Sequence, residues 1–369
     1  MIKIKKVREE NDKFLAFAEK SPFYPDGKGG QLGDRGKIDT ALVLGVEERE
    51  GLICHILDAP VEPGEHTFEI DYLRRKDIAI QHSAQHILSA SFLRVADIQT
   101  LSFHMGEEFS TIDLDVPQIT EVVLQEVEEM ANEIVRSCIK VEIVETNIES
   151  ARNLNLRKSL SEKVGEIVRV VKIGDFDLSA CAGFHVSNTG EIGIIKIVSW
   201  EKVKKTLTRV YFLAGNRALR DYSIRVSVLR ELSTLLTSSV GEMPARTRIL
   251  LEKVKDQAAL INRISEEYAK YLSKDLETHK IKGINVSVYN GFDDVARFLP
   301  KYFQGDLLIC KTSDGYQFSS EKIDCSKLIA FLREKTQGAG GGGTKKGSLK
   351  TSAPINKIFS LIDNYLGVI

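Results

Sequence analysis

Histidine and cysteine side chains at two places in the sequence have the spacing of metal ligands. His82 and His86 are four residues apart, which on a helix places both imidazoles on one face. Cys181 and His185 form a second pair, also four residues apart, in a glycine-containing stretch. Three imidazoles and one thiolate make a donor set that suits zinc. The sequence therefore predicts one zinc ion per chain, bound by these four residues.

Each pair taken alone has a second interpretation. The histidine pair lacks the glutamate of the metalloprotease motif HExxH, and two histidines at this spacing also occur by chance on a helix. The Cys181 and His185 pair is equally weak in isolation. The zinc prediction depends on both pairs lying in the same domain.

The elements that must position these residues are a helix and several strands. Apolar residues at helical spacing predict a helix over 78–96 that carries both histidines. An amphipathic helix is expected over 117–136, with Pro117 tolerated in its first turn. Alternating or apolar runs predict strands at 139–144, 168–173 and 193–198. Together they describe a mixed α+β domain of roughly 140 residues.

The remaining chain completes an α+β multidomain protein. We predict a small β-rich domain over 1–76, the α+β domain over 77–215, a helical segment over 216–280, and a small α/β domain over 281–369. Within the helical segment, apolar residues from Leu251 to Leu272 follow the 3-4 spacing of a short coiled-coil seam. Pro244 is expected to separate two helices. The last domain contains a glycine-rich stretch over 338–347, which we interpret as a flexible basic surface, with a disordered loop as the alternative.

Length and composition exclude several classes of protein. The chain has 369 residues, 43% of them hydrophobic and 28% charged, as in ordinary globular proteins. Apolar runs fall short of the roughly 20 residues that span a bilayer, and the N-terminus has no apolar core of a secretory signal, so we expect a cytoplasmic protein without a membrane partner. The net charge of -1 neither indicates nor excludes a nucleic-acid partner. Five scattered cysteines are typical of reduced thiols.

Several motifs together resemble a known family. They are Phe23-Tyr24-Pro25 followed by Gly29-Gly30-Gln31, His82-Ser-Ala-Gln-His86, the run Ser110 to Leu114, and the run Val170 to Phe176 that leads to Cys181 and Val186. In this order they resemble the editing half of alanyl-tRNA synthetase and, more closely, the free-standing alanyl-tRNA editing proteins. The resemblance covers nearly the whole chain, because the helical segment and the C-terminal domain look like the coiled coil and the DHHA1 domain of that family.

The resemblance implies a fold, an activity and a set of site residues. It places a β-barrel-like domain before a zinc-binding editing domain, and the activity is hydrolysis of mischarged tRNA(Ala). Seryl-tRNA(Ala) is the expected substrate and glycyl-tRNA(Ala) a second one. Gln31 is expected near the ester, Gly29 and Gly30 in the substrate-binding loop, and Thr111 as the hydrogen-bond partner of the serine hydroxyl.

Two departures from the family pattern bear on the substrate. The glycine loop is one residue longer than usual, and Phe184 stands where the family has threonine. About 76 residues precede the editing domain, too few for an aminoacylation core, so activation of alanine is not expected. Alternative functions are a zinc-stabilised tRNA-binding module without catalysis, or a zinc hydrolase of another small aminoacyl ester.

Basic residues are candidates for tRNA contacts. Arg209 is expected to contact acceptor-stem phosphates, and Lys345 and Lys346 the tRNA phosphates reached by the C-terminal domain. A homodimer through the helical segment or the C-terminal domain would cover the coiled-coil seam, and an antiparallel helix from 216–240 of the same chain would do so equally well.

Overall fold

The computed structural model describes residues 1–160 and 165–367. They form a mixed α+β protein with several sheets, divided into two compact units, Met1–Leu229 and Arg230–Ile369. The α+β class is therefore as expected, and the four-domain division stays a prediction. Among the described helices, none combines the length and the apolar character needed to cross a membrane.

The first unit begins with a β-rich region. Its strands are β1 (Ile2–Ile4), β2 (Lys6–Glu10), β3 (Lys13–Ala18), β4 (Gly36–Ile38), β5 (Ala41–Arg49), β6 (Leu52–Leu57), β7 (Gly64–His66) and β8 (Phe68–Ile70). Six strands form one sheet in the order β2-β3-β6-β5-β4-β8, and β1 pairs with β7. Apolar residues such as Phe23, Ile38 and Leu57 fill the core beneath this sheet.

The glycine-rich loop between β3 and β4 is held by carboxylates. The Asp26 side chain accepts hydrogen bonds from the backbone N–H groups of Gly33 (2.9 Å) and Val46 (3.0 Å). Gly29 and Gly30 adopt φ values of 65° and 76°, which glycine tolerates without steric cost. The Asp26 carboxylate thereby ties the loop to β5.

The helix that follows β8, α1 (Tyr72–Ala96), is the central helix of the first unit. Asp71 caps its N-terminus by accepting a hydrogen bond from the Arg74 N–H at 3.0 Å. Every residue from 78 to 92 is buried, polar ones included, so α1 has protein on all sides over this stretch. It begins six residues earlier than the expected 78, because its first turn is largely exposed and the apolar periodicity starts only inside the helix.

Two sheets and one helix pack around α1, and a second, short helix packs on one of these sheets. The elements are β9 (Thr100–Met105), β10 (Ser110–Leu114), α2 (Glu121–Arg136), β11 (Val141–Asn147), α3 (Ile148–Arg152), β12 (Ile167–Ile173), β13 (Asp177–Ala180), β14 (Ile195–Lys204) and β15 (Leu207–Ala214). One sheet has the order β14-β15-β10-β9 and the other β11-β12-β13, both antiparallel. Pro117 lies outside α2, contrary to expectation, because Thr120 caps the helix three residues later.

Two long helices follow. They are α4 (Gly215–Leu236) and α5 (Met243–Leu272), and Pro244 lies in the first turn of α5 as expected. The predicted seam does not behave as one surface: Ser265 is buried, whereas Leu251, Val254 and Ile261 are exposed. A covering helix from a second chain or from this one stays a prediction.

The C-terminal part contains a six-stranded sheet. Its elements are β16 (Glu277–Ile281), β17 (Ile284–Asn290), α6 (Asp293–Ala296), α7 (Leu299–Tyr302), β18 (Leu307–Thr312), β19 (Gly315–Ser319), α8 (Cys325–Thr336), β20 (Ala339–Gly342), β21 (Lys346–Lys350) and α9 (Ile355–Leu366). The strand order is β16-β17-β18-β19-β21-β20.

The glycine-rich stretch is a hairpin at the edge of this sheet. Its strands β20 and β21 pair from Ala339↔Lys350 to Gly342↔Gly347, and β21 pairs with β19. A Cβ at Gly347 would meet the side chain of Ile329 on α8, so helix and hairpin pack closely here. The expectation of a flexible surface is therefore corrected, because backbone pairing gives these glycines a fixed place that composition does not indicate.

Candidate metal centre

Four side chains meet between α1 and the loop after β13. His82 and His86 project from α1, and Cys181 and His185 come from the loop. One ligand atom from each residue lies within 4.8 Å of all the others. The Cys181 Sγ is 3.3 Å from the Nε2 atoms of both His82 and His185. The structure thus brings together all four residues whose spacing predicts a metal site.

The outer nitrogen of each imidazole is occupied by a polar partner. His82 Nδ1 lies 2.8 Å from Gln31 Oε1, His86 Nδ1 lies 2.9 Å from Asp177 Oδ2, and His185 Nδ1 lies 3.1 Å from Ser83 Oγ. When each Nδ1–H donates to its partner, the neutral ring keeps the Nε2 lone pair for the centre of the cluster. Such outer hydrogen bonds fix the tautomer and orientation of metal-binding histidines.

Asp177 is the most strongly held of these partners. Its carboxylate is buried and accepts hydrogen bonds from Arg157 Nε at 2.6 Å and from the Ser179 hydroxyl at 3.0 Å. Burial alone would raise the pKa of Asp177, but hydrogen bonding to His86 and the charge of Arg157 keep it below its ordinary value. Asp177 therefore carries a negative charge, and it lies next to His86 on α1.

The thiol of Cys181 is set up as a thiolate. Burial would raise its pKa, but hydrogen bonds from His185 and His82 lower it to about 2. Burial lowers the pKa of His185 to about 3 and also lowers that of His82, so both rings are neutral, the form that binds metal.

His86 differs from the other two histidines. Burial acts to lower its pKa, but hydrogen bonds to Asp177 and Cys181 raise it to about 9. The negative charges of Asp177 and Cys181 therefore stabilise a positive charge at His86. A metal ion bound at Nε2 would supply that positive charge in place of the proton.

The donor set and its spacing fit a metal ion with tetrahedral preference. Zinc–nitrogen and zinc–sulfur bonds of about 2.0–2.3 Å put neighbouring ligand atoms roughly 3.3–3.8 Å apart. The two sulfur–nitrogen distances of 3.3 Å lie at the lower end of that range. Separations elsewhere in the cluster extend up to 4.8 Å, so metal binding would draw the more distant ligand atoms together by up to about 1 Å.

The loop that carries Cys181 and His185 is clamped at both ends. Arg169 on β12 donates from one nitrogen to the carbonyl oxygens of Cys181 (2.9 Å) and Gly183 (2.6 Å). The Phe184 N–H donates to Gln31 Oε1 at 3.0 Å. The Phe184 ring lies 5.0 Å from the Tyr24 ring, and the Arg75 guanidinium lies 4.6 Å from the same Phe184 ring. The side chain that departs from the family pattern thus forms part of the wall beside the cluster.

Asp177→Asn is expected to weaken metal binding by about 10–100-fold, because the neutral amide stabilises neither the His86 tautomer nor the bound cation as well. Chelator competition on the purified variant measures this loss. Asp175→Asn is the matched control, since Asp175 is a neighbouring carboxylate outside the cluster. Equal losses in both variants would contradict the assigned role of Asp177.

The predicted substrate residues occupy different positions relative to the cluster. Gln31 is buried and contacts His82 directly, which the sequence does not indicate. Gly29 and Gly30 are in the adjoining turn, and a Cβ at Gly30 would come within 2.9 Å of the Phe103 carbonyl oxygen. Because the Phe103 ring stacks 5.3 Å from His82, this turn borders the site.

Thr111 is not brought to the cluster. In the sheet, Phe103 lies opposite Ile112, whereas Thr111 lies opposite His104. Successive side chains on a strand point to opposite faces, so Thr111 is on the other face from the Phe103 ring that stacks on His82. Its role in recognising a serine hydroxyl stays a prediction.

The predicted phosphate-binding cations are partly engaged. Arg209 donates two hydrogen bonds to the Asp113 carboxylate, at 2.7 and 3.0 Å, so its charge is balanced within the sheet. Lys345 lies 2.6 Å from Glu321 and is well exposed, as is Lys346 in β21. Contacts of these three residues with tRNA stay predictions.

The sequence assigns no role to several residues at the site. Tyr24 and Ser83 lie inside the motifs that carry the resemblance but have no function assigned to them, and Asp177, Arg157 and Arg169 carry no spacing signal of their own. Asp177 precedes Cys181 by four residues, and a search for carboxylates next to predicted ligands could have found it. The others join the site only through contacts that are distant in the sequence.

Comparison with known proteins agrees with this geometry. Residues 168–211, which include Cys181 and His185, match the family described as the threonyl and alanyl tRNA synthetase second additional domain. The alanyl-tRNA editing protein AlaX-L of Pyrococcus horikoshii is 31% identical over 271 residues, covering 71% of this chain and 65% of that protein. The chain is a relative of the alanyl-tRNA editing proteins. This confirms the resemblance inferred from the motifs.

Two further relatives extend the comparison. The alanyl-tRNA editing protein Aarsd1 of Bos taurus is 34% identical over 225 residues, covering 60% of this chain and 50% of that protein. The alanine-tRNA ligase of Lactococcus lactis (strain IL1403) is 27% identical over 365 residues, covering 91% of this chain. The chain spans 42% of the length of that ligase. The likeness to the ligase thus concerns less than half of that enzyme.

Proposed function

We propose that the chain hydrolyses the ester of mischarged tRNA(Ala), with seryl-tRNA(Ala) as the main substrate and glycyl-tRNA(Ala) as a second one. The observation that carries the proposal is the cluster of His82, His86, Cys181 and His185, with Gln31 joining it to the glycine loop. Both editing relatives are named for alanyl-tRNA, which supports the same substrate class.

We propose zinc as the metal, one ion per chain. Three imidazoles and a thiolate are borderline-soft ligands, and zinc prefers them in tetrahedral geometry. Bound there, zinc would supply positive charge and Lewis acidity beside the ester. Four protein ligands fill a tetrahedral shell, so we assign the ion mainly an organising role, fixing the loop against α1.

The remaining chemistry falls to side chains around the loop. Gln31 Nε2 and Tyr24 Oη are buried, and neither has a hydrogen-bond partner among the described residues. Both atoms are donors. A buried donor without a partner can stabilise an oxygen atom that gains negative charge. The carbonyl oxygen of the ester gains such a charge when water attacks it. We propose that Gln31 donates to this oxygen.

Specificity for serine over alanine needs a polar partner for the substrate hydroxyl. A site that hydrogen-bonds the hydroxyl spares the substrate that lacks it, because its own polar group is otherwise left unpaired. Thr111 is the partner predicted from the sequence, but it lies on the other sheet face from the Phe103 ring and His82, whereas we place the ester beside Gln31. A serine side chain does not reach through a sheet, so the two assignments exclude each other. Thr111→Val is therefore the variant that tests serine selectivity apart from hydrolysis.

The decisive experiment measures release of amino acid from labelled Ser-tRNA(Ala), Gly-tRNA(Ala) and Ala-tRNA(Ala) by the zinc-loaded protein. We expect rapid release of serine, slower release of glycine and no release of alanine above the spontaneous rate. A His82→Ala/Cys181→Ala variant should lose both zinc and activity. Retained tRNA binding with full zinc and no hydrolysis would instead support a zinc-stabilised tRNA-binding module.

The third possibility, a hydrolase of another small aminoacyl ester, is tested in the same assay. Release of serine from a tRNA other than tRNA(Ala) at the same rate would show that the ester rather than the tRNA is recognised. We expect instead a strong preference for tRNA(Ala). The C-terminal region is proposed as the DHHA1-like part that holds the tRNA, with Lys345 and Lys346 on its surface.

A further inference from the structure

Arg169 is a cation beside the candidate metal centre that no carboxylate of residues 1–160 or 165–367 balances. Its contacts with the Cys181 and Gly183 carbonyl oxygens use one terminal nitrogen. Its neighbour across the β11–β12 pair is Glu145, and among the described residues neither Glu145 nor any other carboxylate forms an ion pair with it. The guanidinium has five N–H donors, so most of them remain available.

Two further donors border the same loop. The hydroxyl of Tyr24 and the Nε2 of Gln31 are buried, and the described part of the chain offers neither a partner. Tyr24 packs its ring 5.0 Å from the ring of Phe184, and Gln31 accepts the Phe184 N–H. Leaving buried polar groups unpaired costs free energy, so this arrangement fits a ligand rich in acceptors.

The charges around the loop favour an anion. The Cys181 thiolate is already hydrogen-bonded by imidazoles, and the Asp177 carboxylate by Arg157 and His86. A metal ion in the cluster would add positive charge. Within the described part of the chain, Arg169 is a cation beside this loop without an ion-pair partner, and its planar group matches the paired oxygens of a phosphate.

We propose that Arg169 binds the phosphate of the terminal nucleotide of an aminoacylated RNA, while Tyr24 and Gln31 donate to its sugar and ester oxygens. The proposal rests on the proposed function and deepens it, because it assigns a phosphate subsite next to the ester. It separates two tasks: the cluster fixes the loop, and Arg169 positions the RNA end on it.

The test measures binding rather than hydrolysis. The probes are two non-hydrolysable analogues in which serine is amide-linked to the sugar of adenosine, one with a 5′-phosphate and one without. Zinc-loaded wild-type protein is expected to bind the phosphate-bearing analogue about tenfold more tightly or better, as a hydrogen bond to a charged group predicts. This preference should weaken with added salt.

The Arg169→Gln variant should lose the preference: its affinities for the two analogues should become equal within about twofold, whatever affinity both lose through the loop that Arg169 clamps. Arg169→Lys should keep part of the preference, because the charge remains. Lys172→Gln is the matched control, since Lys172 is on the same strand but on its other face, and it should behave like wild type. Zinc content is measured for every variant.

Three results would overturn the proposal. One is equal affinity of wild-type protein for both analogues. Another is an equal loss for both analogues in Arg169→Gln at full zinc content, which would leave Arg169 only as a clamp of the loop. The third is loss of the preference in Lys172→Gln as well. If Arg169→Gln loses zinc, the wild-type preference and its salt dependence decide.

Failure of the proposed function gives a different pattern. A protein that hydrolyses no aminoacyl-tRNA but still prefers the phosphate-bearing analogue has the phosphate subsite without the activity. Hydrolysis of seryl-tRNA(Ala) without any preference for the phosphate-bearing analogue rules out the phosphate subsite and supports the hydrolytic activity.

Discussion

Replacement of Cys181 with alanine is expected to weaken metal binding by on the order of 10³-fold or more and to reduce serine release to the spontaneous rate. Thiolate–metal bonds make up a large part of the roughly 10–16 kcal/mol with which four-ligand sites hold zinc. The variant also removes one of the two anions that stabilise the His86 cation, and Asp177 on the outer side of the ring remains. Three imidazoles then face one another without a negative charge among them.

The measurements are metal content after gel filtration, affinity by chelator competition, and the midpoint of thermal unfolding. Cys138→Ala is the control, because Cys138 is an exposed free thiol outside the cluster. It should keep full metal content and activity. A Cys181→Ala protein that binds one zinc ion at wild-type affinity would show that the cluster is not the metal site.

The metal cluster could be predicted from the sequence because its signal is local. His82 and His86 are one helical turn apart, and the second pair lies within five residues. The helix that carries the first pair is also local, since its apolar residues repeat at helical spacing. The spacing does not show that the two pairs lie close together in space. That part of the prediction depends on both pairs belonging to one predicted domain.

The partners that orient the cluster could not be predicted in this way. Gln31 is 51 residues from His82, and Asp177 is 91 residues from His86. Nothing in the glycine loop specifies that its glutamine will accept a hydrogen bond from an imidazole of α1. Such contacts arise from the packing of separate elements, which no periodicity encodes.

Local signals also misplace some elements for physical reasons. Pro117 is compatible with a first helical turn, but the Thr120 hydroxyl accepts the Val123 N–H as an N-cap, and α2 begins after it. The glycines of 338–347 are compatible with a flexible loop, but hydrogen bonds to β19 and packing against α8 hold their hairpin in the sheet. In both cases tertiary or capping contacts outweigh composition.

Gly183→Ala is expected to lower metal affinity by about 10–100-fold, although it changes a residue that is not a ligand. A Cβ at this position would overlap the His82 ring and the Oε1 of Gln31. The His82 ring has no room to yield, because it is buried and stacked by Phe103. The added methyl group must therefore displace either the ligand or the residue that orients it.

The backbone of Gly183 does not itself demand glycine, since its φ lies outside the left-handed region. Any loss is thus due to the side-chain volume and not to backbone strain. Gly241→Ala is the matched control, because a Cβ there meets no atom within 4 Å. It should leave zinc content and hydrolysis unchanged. If Gly183→Ala behaves like this control in chelator competition, the loop does not approach His82 as closely as the structure indicates, and the clamp by Gln31 and Arg169 loses its assigned role.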